Sequence, residues 1–310
     1  MEIESKRSNS LQVLIVGLGN VGFYYDTSSP SQILSHTTGI ITAAKVYDLE
    51  IEITGVDPIL NKRRLFEERN NFAKAYESIK QLPSKNFDLV IFACPTPELT
   101  RVFLECQETL TFQKAVIEKP VALTLEQYES FDYHRKQEID IKVGFPRRTI
   151  PSTHYLKNLL KMESKESLYR IELQLGGNIL NIGSHFLDLI HFLFGSFAID
   201  DYWEKCNMVG LKASSPNLEL LVEQVTHENN ERSEIKVCGP VNFRYSFAGR
   251  RLEFSEPDLN TSWVYDATSE IQGMLGFEAM DYIGWVARGK GSSLPNLYDT
   301  PVRQLLERMQ

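Results

Sequence analysis

Short unbroken apolar runs alternate with amphipathic stretches along the first half of the chain. The runs cover 11–16, 50–56, 88–93, 114–118 and 139–144, the first ending at Gly17 and the second at Asp57. Between them, 37–48, 60–69, 97–109 and 124–136 carry helical spacing. Continuous apolar strands separated by helices predict parallel strands covered on both faces. With right-handed crossovers, the expected form is a doubly wound Rossmann sheet over residues 1–146.

The pattern changes after residue 146. A helix is expected at 151–162, then the strictly alternating run 168–175, then a helix at 184–194. Alternating segments follow at 198–212, 217–226, 233–240, 241–248 and 250–255, punctuated by Asn229-Asn230, Gly239-Pro240 and Gly249. Consecutive alternating strands predict an open-faced, mainly antiparallel sheet with helices on one side, so residues 147–310 read as an α+β substrate-binding domain. Helices at 276–287 and 299–309 end the chain. Phe277, Tyr282 and Trp285 mark the first as a core helix. The open sheet face is the expected place for contact between subunits of a homo-oligomer.

Composition narrows the class. The 310 residues are 42% hydrophobic and 24% charged, which excludes a disordered chain and leaves room for two cores. Lys and Arg number 33 against 41 Asp and Glu, a net charge of −8. That balance, with basic residues scattered, argues against nucleic acid and against anionic membranes. The longest apolar stretch, 186–199, is broken by Asp188 and His191 and is too short to span a bilayer. Residues 1–7 carry no apolar core, so no secretory signal is expected there. Cys94, Cys106, Cys206 and Cys238 lack metal or redox spacing, so reduced thiols, no metal site and a cytoplasmic location are expected.

Candidate chemistry begins with Gly17-Leu18-Gly19-Asn20-Val21-Gly22, a G-x-G-x-x-G directly after the first strand. Gly17 permits the tight turn, Gly19 lets backbone approach a pyrophosphate, and Gly22 lets the next segment pack on the strand. Asp57, ending the second strand, is placed to accept adenosine ribose hydroxyls, which favours NAD over NADP. Lys62-Arg63-Arg64 leave NADP open, and a helix cap for 60–69 is the other use for Asp57. The segment from Gly22 to Asp57 exceeds the usual length because of a turn-rich insert at 24–31 that ends near His36. Either the insert covers the cofactor and carries His36 towards substrate, or it is a solvated loop with His36 at a helix start.

Further on come Ala93-Cys94-Pro95-Thr96-Pro97, Glu118-Lys119-Pro120 and the run from Gly176 through Asn181, Gly183-Ser184-His185 to Asp188. In this order, and with the glycine motif, the chain over 11–309 resembles the glucose–fructose oxidoreductase / inositol dehydrogenase family (Gfo/Idh/MocA). The resemblance implies a Rossmann half, an open-sheet half, and a nicotinamide-dependent oxidoreductase acting on a sugar, cyclitol or sugar-nucleotide. It implies that Lys119 steadies the reacting oxygen, that His185 relays the proton and that Asn181 positions substrate. Cys94, Pro95, Thr96, Glu118 and Lys119 fall on the cofactor side, with Glu118 the expected partner of Lys119 or a brace for its loop. Phe145-Pro146-Arg147-Arg148 matches a segment beside nicotinamide and substrate, so Arg147 or Arg148 is a candidate for an anionic substrate group, with an ion pair as the alternative. Asp188 orients the helix or His185.

Residues of their own accord support these roles. A lysine at the carboxyl end of a parallel strand sits where open α/β sheets bind ligands, and its ammonium can stabilise alkoxide charge. Histidine is the residue that trades protons near neutral pH. Two departures from the family stand out. Asn181 replaces a common Asp, so it bonds hydroxyls but brings no charge to raise the histidine. The strand at 168–175 runs almost directly into Gly176, where relatives carry a longer loop. An open pocket for a bulky substrate, possible surface-sugar synthesis, a weakly catalytic NAD-binding sensor or scaffold, and an imine or double-bond reductase all remain compatible.

Overall fold

A computed structural model describes residues 10–28, 32–134, 138–163, 167–205, 208–225, 233–246, 251–255, 262–289 and 291–310. The N-terminal seven residues, part of the 24–31 insert, Asn229-Asn230, Gly249 and Cys206 lie outside them. The elements in order are β1 (Leu11–Val16), α1 (Tyr25–Ser28), α2 (His36–Tyr47), β2 (Ile51–Val56), α3 (Leu60–Arg69), β3 (Lys74–Tyr76), β4 (Leu89–Phe92), α4 (Thr96–Thr109), β5 (Lys114–Glu118), α5 (Leu125–His134), β6 (Asp140–Gly144), α6 (Pro151–Met162), β7 (Tyr169–Leu175) and α7 (Ser184–Phe194). Strands β8 (Ala198–Lys205), β9 (Met208–Ser215), β10 (Leu218–Val225), β11 (Glu234–Cys238), β12 (Asn242–Ser246), β13 (Arg251–Ser255) and β14 (Ser262–Asp266) follow, then α8 (Thr268–Gln272), α9 (Met274–Arg288) and α10 (Val302–Arg308).

The chain divides into two compact units. One holds residues 1–118, 130–144 and 275–294, the other 119–129, 145–274 and 295–310. The first contains a six-stranded parallel sheet in the order β3-β2-β1-β4-β5-β6. This is the dinucleotide-binding order, and it reverses direction between β1 and β4. Val13 to Val16 and all of β4 are buried, as continuous apolar runs require. Helix α9 joins this core through Ala279, Tyr282, Ile283 and Trp285, beside Val13, Ile15, Ile40 and Phe66. Its approach to α2 is close: a Cβ on Gly39 would stand 2.8 Å from the Leu275 carbonyl oxygen.

The second unit carries an eight-stranded sheet in the order β14-β13-β12-β11-β7-β10-β9-β8. All its pairings are antiparallel except that of β7 with β10. Strand β7 alternates buried and exposed without a break. Its outward residues are Arg170, Glu172 and Gln174, and ion pairs Arg170–Glu219 (2.9 Å) and Lys236–Glu172 (3.5 Å) run across that face. The open face, the expected place of subunit contact, is thus charged along β7. The expected 198–212 run is two strands, and β3 and β14 stand outside the predicted segments. β3 has three residues, too few to show a period. None of the described helices is long and apolar enough to cross a membrane.

Candidate functional site

The glycine turn closes β1 as its chemistry demands. Gly17 has φ +100°, and a Cβ there would meet the Ala93 carbonyl oxygen at 2.6 Å, so β1 and β4 end back to back. Around Gly22 the backbone leaves no space for a side chain, because it packs on Gly17. Gly19 is different: a Cβ on it would meet one group within 4 Å, Lys62 Nζ at 4.0 Å. The chain then runs as a π-helical turn over Asn20–Tyr24 into α1, so the insert starts helical. Asn20 is exposed and Val21 half-buried on that turn.

A cavity of about 510 Å³ opens beside the turn, lined among others by Gly17, Asp57, Lys62, Cys94, Pro95 and Arg101. It lies at the switch point of the sheet, where this architecture binds ligands. Four expected cofactor residues meet there. Thr96, the first residue of α4, and Asn20 and Val21 are outside its lining. Space at Gly19 and a cavity bordered by Gly17 and Asp57 fit a dinucleotide.

Asp57 is buried, and both carboxylate oxygens take backbone donors. Leu18 N–H donates to Oδ2 at 3.0 Å and Ile59 N–H to Oδ1 at 2.9 Å. It therefore ties the glycine turn to Ile59, the residue before α3; the expected helix cap is not formed, because α3 has no side-chain cap bond. Lys62 Nζ stands 3.5 Å from Asp57 Oδ2, whereas Arg63 donates to the carbonyls of Asp57 and Pro58. Of the basic triplet, Lys62 is the member near both Gly19 and Asp57. Burial pushes the Cys94 thiol up to about 11, which keeps it protonated and suits a packing role.

In the second unit, Lys119 follows the end of β5 and precedes Pro120 through a cis peptide bond. Its Nζ donates to Asn181 Oδ1 at 2.6 Å and to the Asn181 carbonyl at 3.3 Å. Asn181 sits in a π-helical turn, Ile179–Gly183, that leads directly into α7. The Asn178 side chain caps that turn by accepting from Leu180 and Asn181 N–H at 2.9 and 3.1 Å. Asn178 was not singled out from sequence, although an Asn before a helix start is a capping signal.

His185 is buried on the first turn of α7, edge-on to Phe145 with ring centroids 5.7 Å apart. Its Nδ1 has no hydrogen-bond partner among the described residues. Burial, then the charges of Arg147 and Lys119, hold its pKa well below the usual histidine range. The imidazole is neutral and able to accept a proton. Arg147 stacks over Phe186 at 5.0 Å, and burial lowers its pKa to about 10. Arg148 and Asp188 form a buried bidentate pair at 2.7 and 2.6 Å. Desolvation pushes Asp188 up to about 6 against the pull of that guanidinium. Asp188 thus anchors α7 to the Pro146–Arg148 turn.

His36 and Glu118 meet in the first unit. His36 is the first residue of α2, with Ser35 as N-cap, and is fully buried. Its Nε2 is 2.8 Å from Glu118 Oε1 and its Nδ1 is 3.3 Å from the Tyr282 hydroxyl. The expected place of His36 at a helix start holds, and its side chain is buried there. Glu278 of α9 completes the group: it is fully buried, and neither carboxylate oxygen has a hydrogen-bond partner among the described residues. Desolvation, then Glu118 and Asp281, pushes its pKa well above the carboxylate range. The sequence signal for Glu278 was an acid inside the otherwise apolar run 275–279, which reads as core.

No protein-family model and no curated protein sequence matches the chain. Solved structures do. An oxidoreductase from Agrobacterium radiobacter, in complex with NAD+, L-tartaric acid and magnesium, is similar over 96% of this chain and 94% of its own, with TM-score 0.71 and 16% identity. The WlbA dehydrogenase from Chromobacterium violaceum, in complex with NADH and UDP-GlcNAcA, is similar over 96% and 92%, with TM-score 0.69 and 17% identity. A super-repressor mutant of Gal80p from Saccharomyces cerevisiae is similar over 96% and 94%, with TM-score 0.78 and 12% identity. The chain has the fold that these oxidoreductases and this repressor share: a Rossmann-like parallel sheet followed by a mixed, mostly antiparallel sheet with helices.

Proposed function

We propose that the chain is an NAD(P)-dependent oxidoreductase of the glucose–fructose oxidoreductase / inositol dehydrogenase type, acting on a hydroxyl or oxo carbon of a sugar, cyclitol or sugar-nucleotide. The observation that carries this reading is the 2.6 Å bond from Lys119 to Asn181, with neutral, buried His185 on the first turn of the next helix. An ammonium, an amide and an unprotonated imidazole are the parts needed to hold a hydroxyl, stabilise its alkoxide and take its proton.

Nicotinamide, when bound, supplies or accepts the hydride. Gly17, Gly19, Asn20, Val21, Gly22, Asp57, Cys94, Pro95 and Thr96 would hold the cofactor. Asp57 favours NAD; Lys62 is the group through which NADP would enter. Lys119 polarises the substrate oxygen, Asn181 orients it, and His185 moves its proton. Arg147 and the Arg148–Asp188 pair form the substrate side for an anionic group, and His36 acts at one remove through Glu118. The WlbA likeness supports a sugar-nucleotide substrate, and surface-sugar synthesis is the setting that this reading proposes. We keep residue 146 as the division between cofactor-holding and substrate-holding parts, with a homo-oligomer joined by polar contacts of the open sheet in the cytoplasm.

The test is turnover on a panel of sugars, UDP-sugars and GDP-sugars with NAD and NADP. Lys119→Ala should lose turnover by roughly 10²- to 10⁴-fold and keep cofactor binding; full activity in that variant sinks the assignment. A second reading, a cofactor-binding regulator without turnover, is favoured by the Gal80p likeness and by Asn181 in place of an acid. It requires cofactor binding with no turnover on any substrate, imines included.

A further inference from the structure

Three side chains from distant parts of the sequence converge inside the first unit. His36 opens α2, Glu118 ends β5 and Glu278 lies in α9. One donor atom from each, His36 Nε2 and a carboxylate oxygen of each glutamate, lies within 4.8 Å of the other two. Gly144, at the end of β6, leaves the space open: a Cβ there would stand 3.1 Å from Glu118 Oε1 and 3.3 Å from Glu278 Oε1. We propose that His36, Glu118 and Glu278 form a binding site for one divalent transition-metal ion of the zinc or manganese class.

Charge gives the first reason. Two ionised glutamates carry the charge that balances a dication, and neither carboxylate oxygen of Glu278 has a hydrogen-bond partner among the described residues. A buried carboxylate without partner is costly, and coordination is one of the few ways to satisfy it. Donor chemistry gives the second. One nitrogen and two carboxylate oxygens suit zinc and manganese, and metal–ligand bonds of about 2.0–2.2 Å place tetrahedral donor atoms about 3.3 Å apart. The His36–Glu118 separation of 2.8 Å is a hydrogen bond about half an ångström short of that spacing, and all three donor atoms lie within 4.8 Å of one another, so rotamer changes that part the first pair and draw in Glu278 close the set. The supporting shell is the third. A histidine binding metal through Nε2 should donate its Nδ1–H to an oxygen, and Tyr282 presents its hydroxyl oxygen at 3.3 Å. Entry is through Glu118, whose side chain is 13% exposed. Spacing in sequence gave no hint of this site because each ligand comes from a different element.

The experiment uses the full chain without a histidine tag, stripped with chelator and titrated with Zn²⁺ and Co²⁺ by calorimetry and visible absorption. One saturable equivalent is expected, with Co²⁺ giving ligand-field bands and Zn²⁺ raising the melting temperature. Glu278→Gln keeps shape and removes the charge, so it should fold with an unchanged far-UV spectrum and bind on the order of 100-fold more weakly or worse. Tyr282→Phe should weaken binding by about tenfold. Absence of a saturable site in the stripped parent overturns the proposal, as does equal affinity in the parent and Glu278→Gln; either result leaves a His36–Glu118 hydrogen bond beside a buried Glu278. Turnover is not part of the readout, so the result stands apart from the fate of the oxidoreductase reading.

Discussion

The two polar clusters differ in how they are satisfied. Lys119 and Asn181 are accessible to partial or full degree, and their hydrogen bond joins groups that water also serves. His36, Glu118 and Glu278 are buried or nearly so, and Glu278 has no hydrogen bond among the described residues. A group left near solvent keeps its charge and can exchange its partner for a substrate. A group sealed in the core must be paired, protonated or bound to an ion. His185 lies between the two cases: burial first, and then the charges of Arg147 and Lys119, hold its pKa well below the usual histidine range.

The contrast can be broken most sharply at His185. His185→Ala should lower kcat by roughly 10²- to 10⁴-fold with cofactor affinity unchanged, measured by steady-state kinetics and cofactor titration. Parent-like turnover would place this cluster with the structural one. Next in size is Asp188→Ala, which leaves buried Arg148 without its carboxylate. Chemical denaturation should show a loss of about 3–5 kcal/mol, because an uncompensated charge then remains in the core.

A smaller effect concerns acidity. His185 has a folded pKa well below its unfolded value of about 6.5. Between those two values the unfolded chain binds the extra proton. The stability that His185 contributes is therefore present above about pH 6.5 and is lost as pH falls towards the folded pKa. The limiting slope is about 1.4 kcal/mol per pH unit. Denaturation curves for the parent and His185→Gln should converge as pH drops below 6.5; parallel curves would show that the imidazole is not neutral in the folded protein. Smallest is Asn178→Ala, which removes the cap of the Asn181 turn and should cost about 1 kcal/mol. If the turn matters to the reaction, kcat falls in that variant while the melting temperature changes little.

Local signals made much of this legible. Helix 60–69 and helix 151–162 match their expected limits, because each begins and ends at a change of composition that also governs the backbone. Gly17, Asp57, Cys94 and Pro95 were picked out by motif and line one cavity. Resemblance implies roles for Lys119 and Asn181 at one substrate, and their side chains are hydrogen-bonded. Other features were not local. The pairing of Arg148 with Asp188 and of Glu118 with His36 could not be read, since charge complementarity along a chain leaves many partners open. Strand β14 pairs with β13 across residues outside the described set, and its five residues carry a weak pattern.

The sequence by itself determined the alternation of apolar runs, the glycine turn, the short connection after β7 and the residues able to carry proton and charge chemistry. These depend on backbone preference and on periodicity over a few residues, which any stretch carries within itself. Tertiary structure alone decided that α9, some 240 positions after the start of α2, fills the core of the parallel sheet and brings Glu278 to His36. It also decided that the outward face of β7 is charged and that His185 is neutral. Burial and electrostatics depend on what lies nearby in space, and chain order does not specify that.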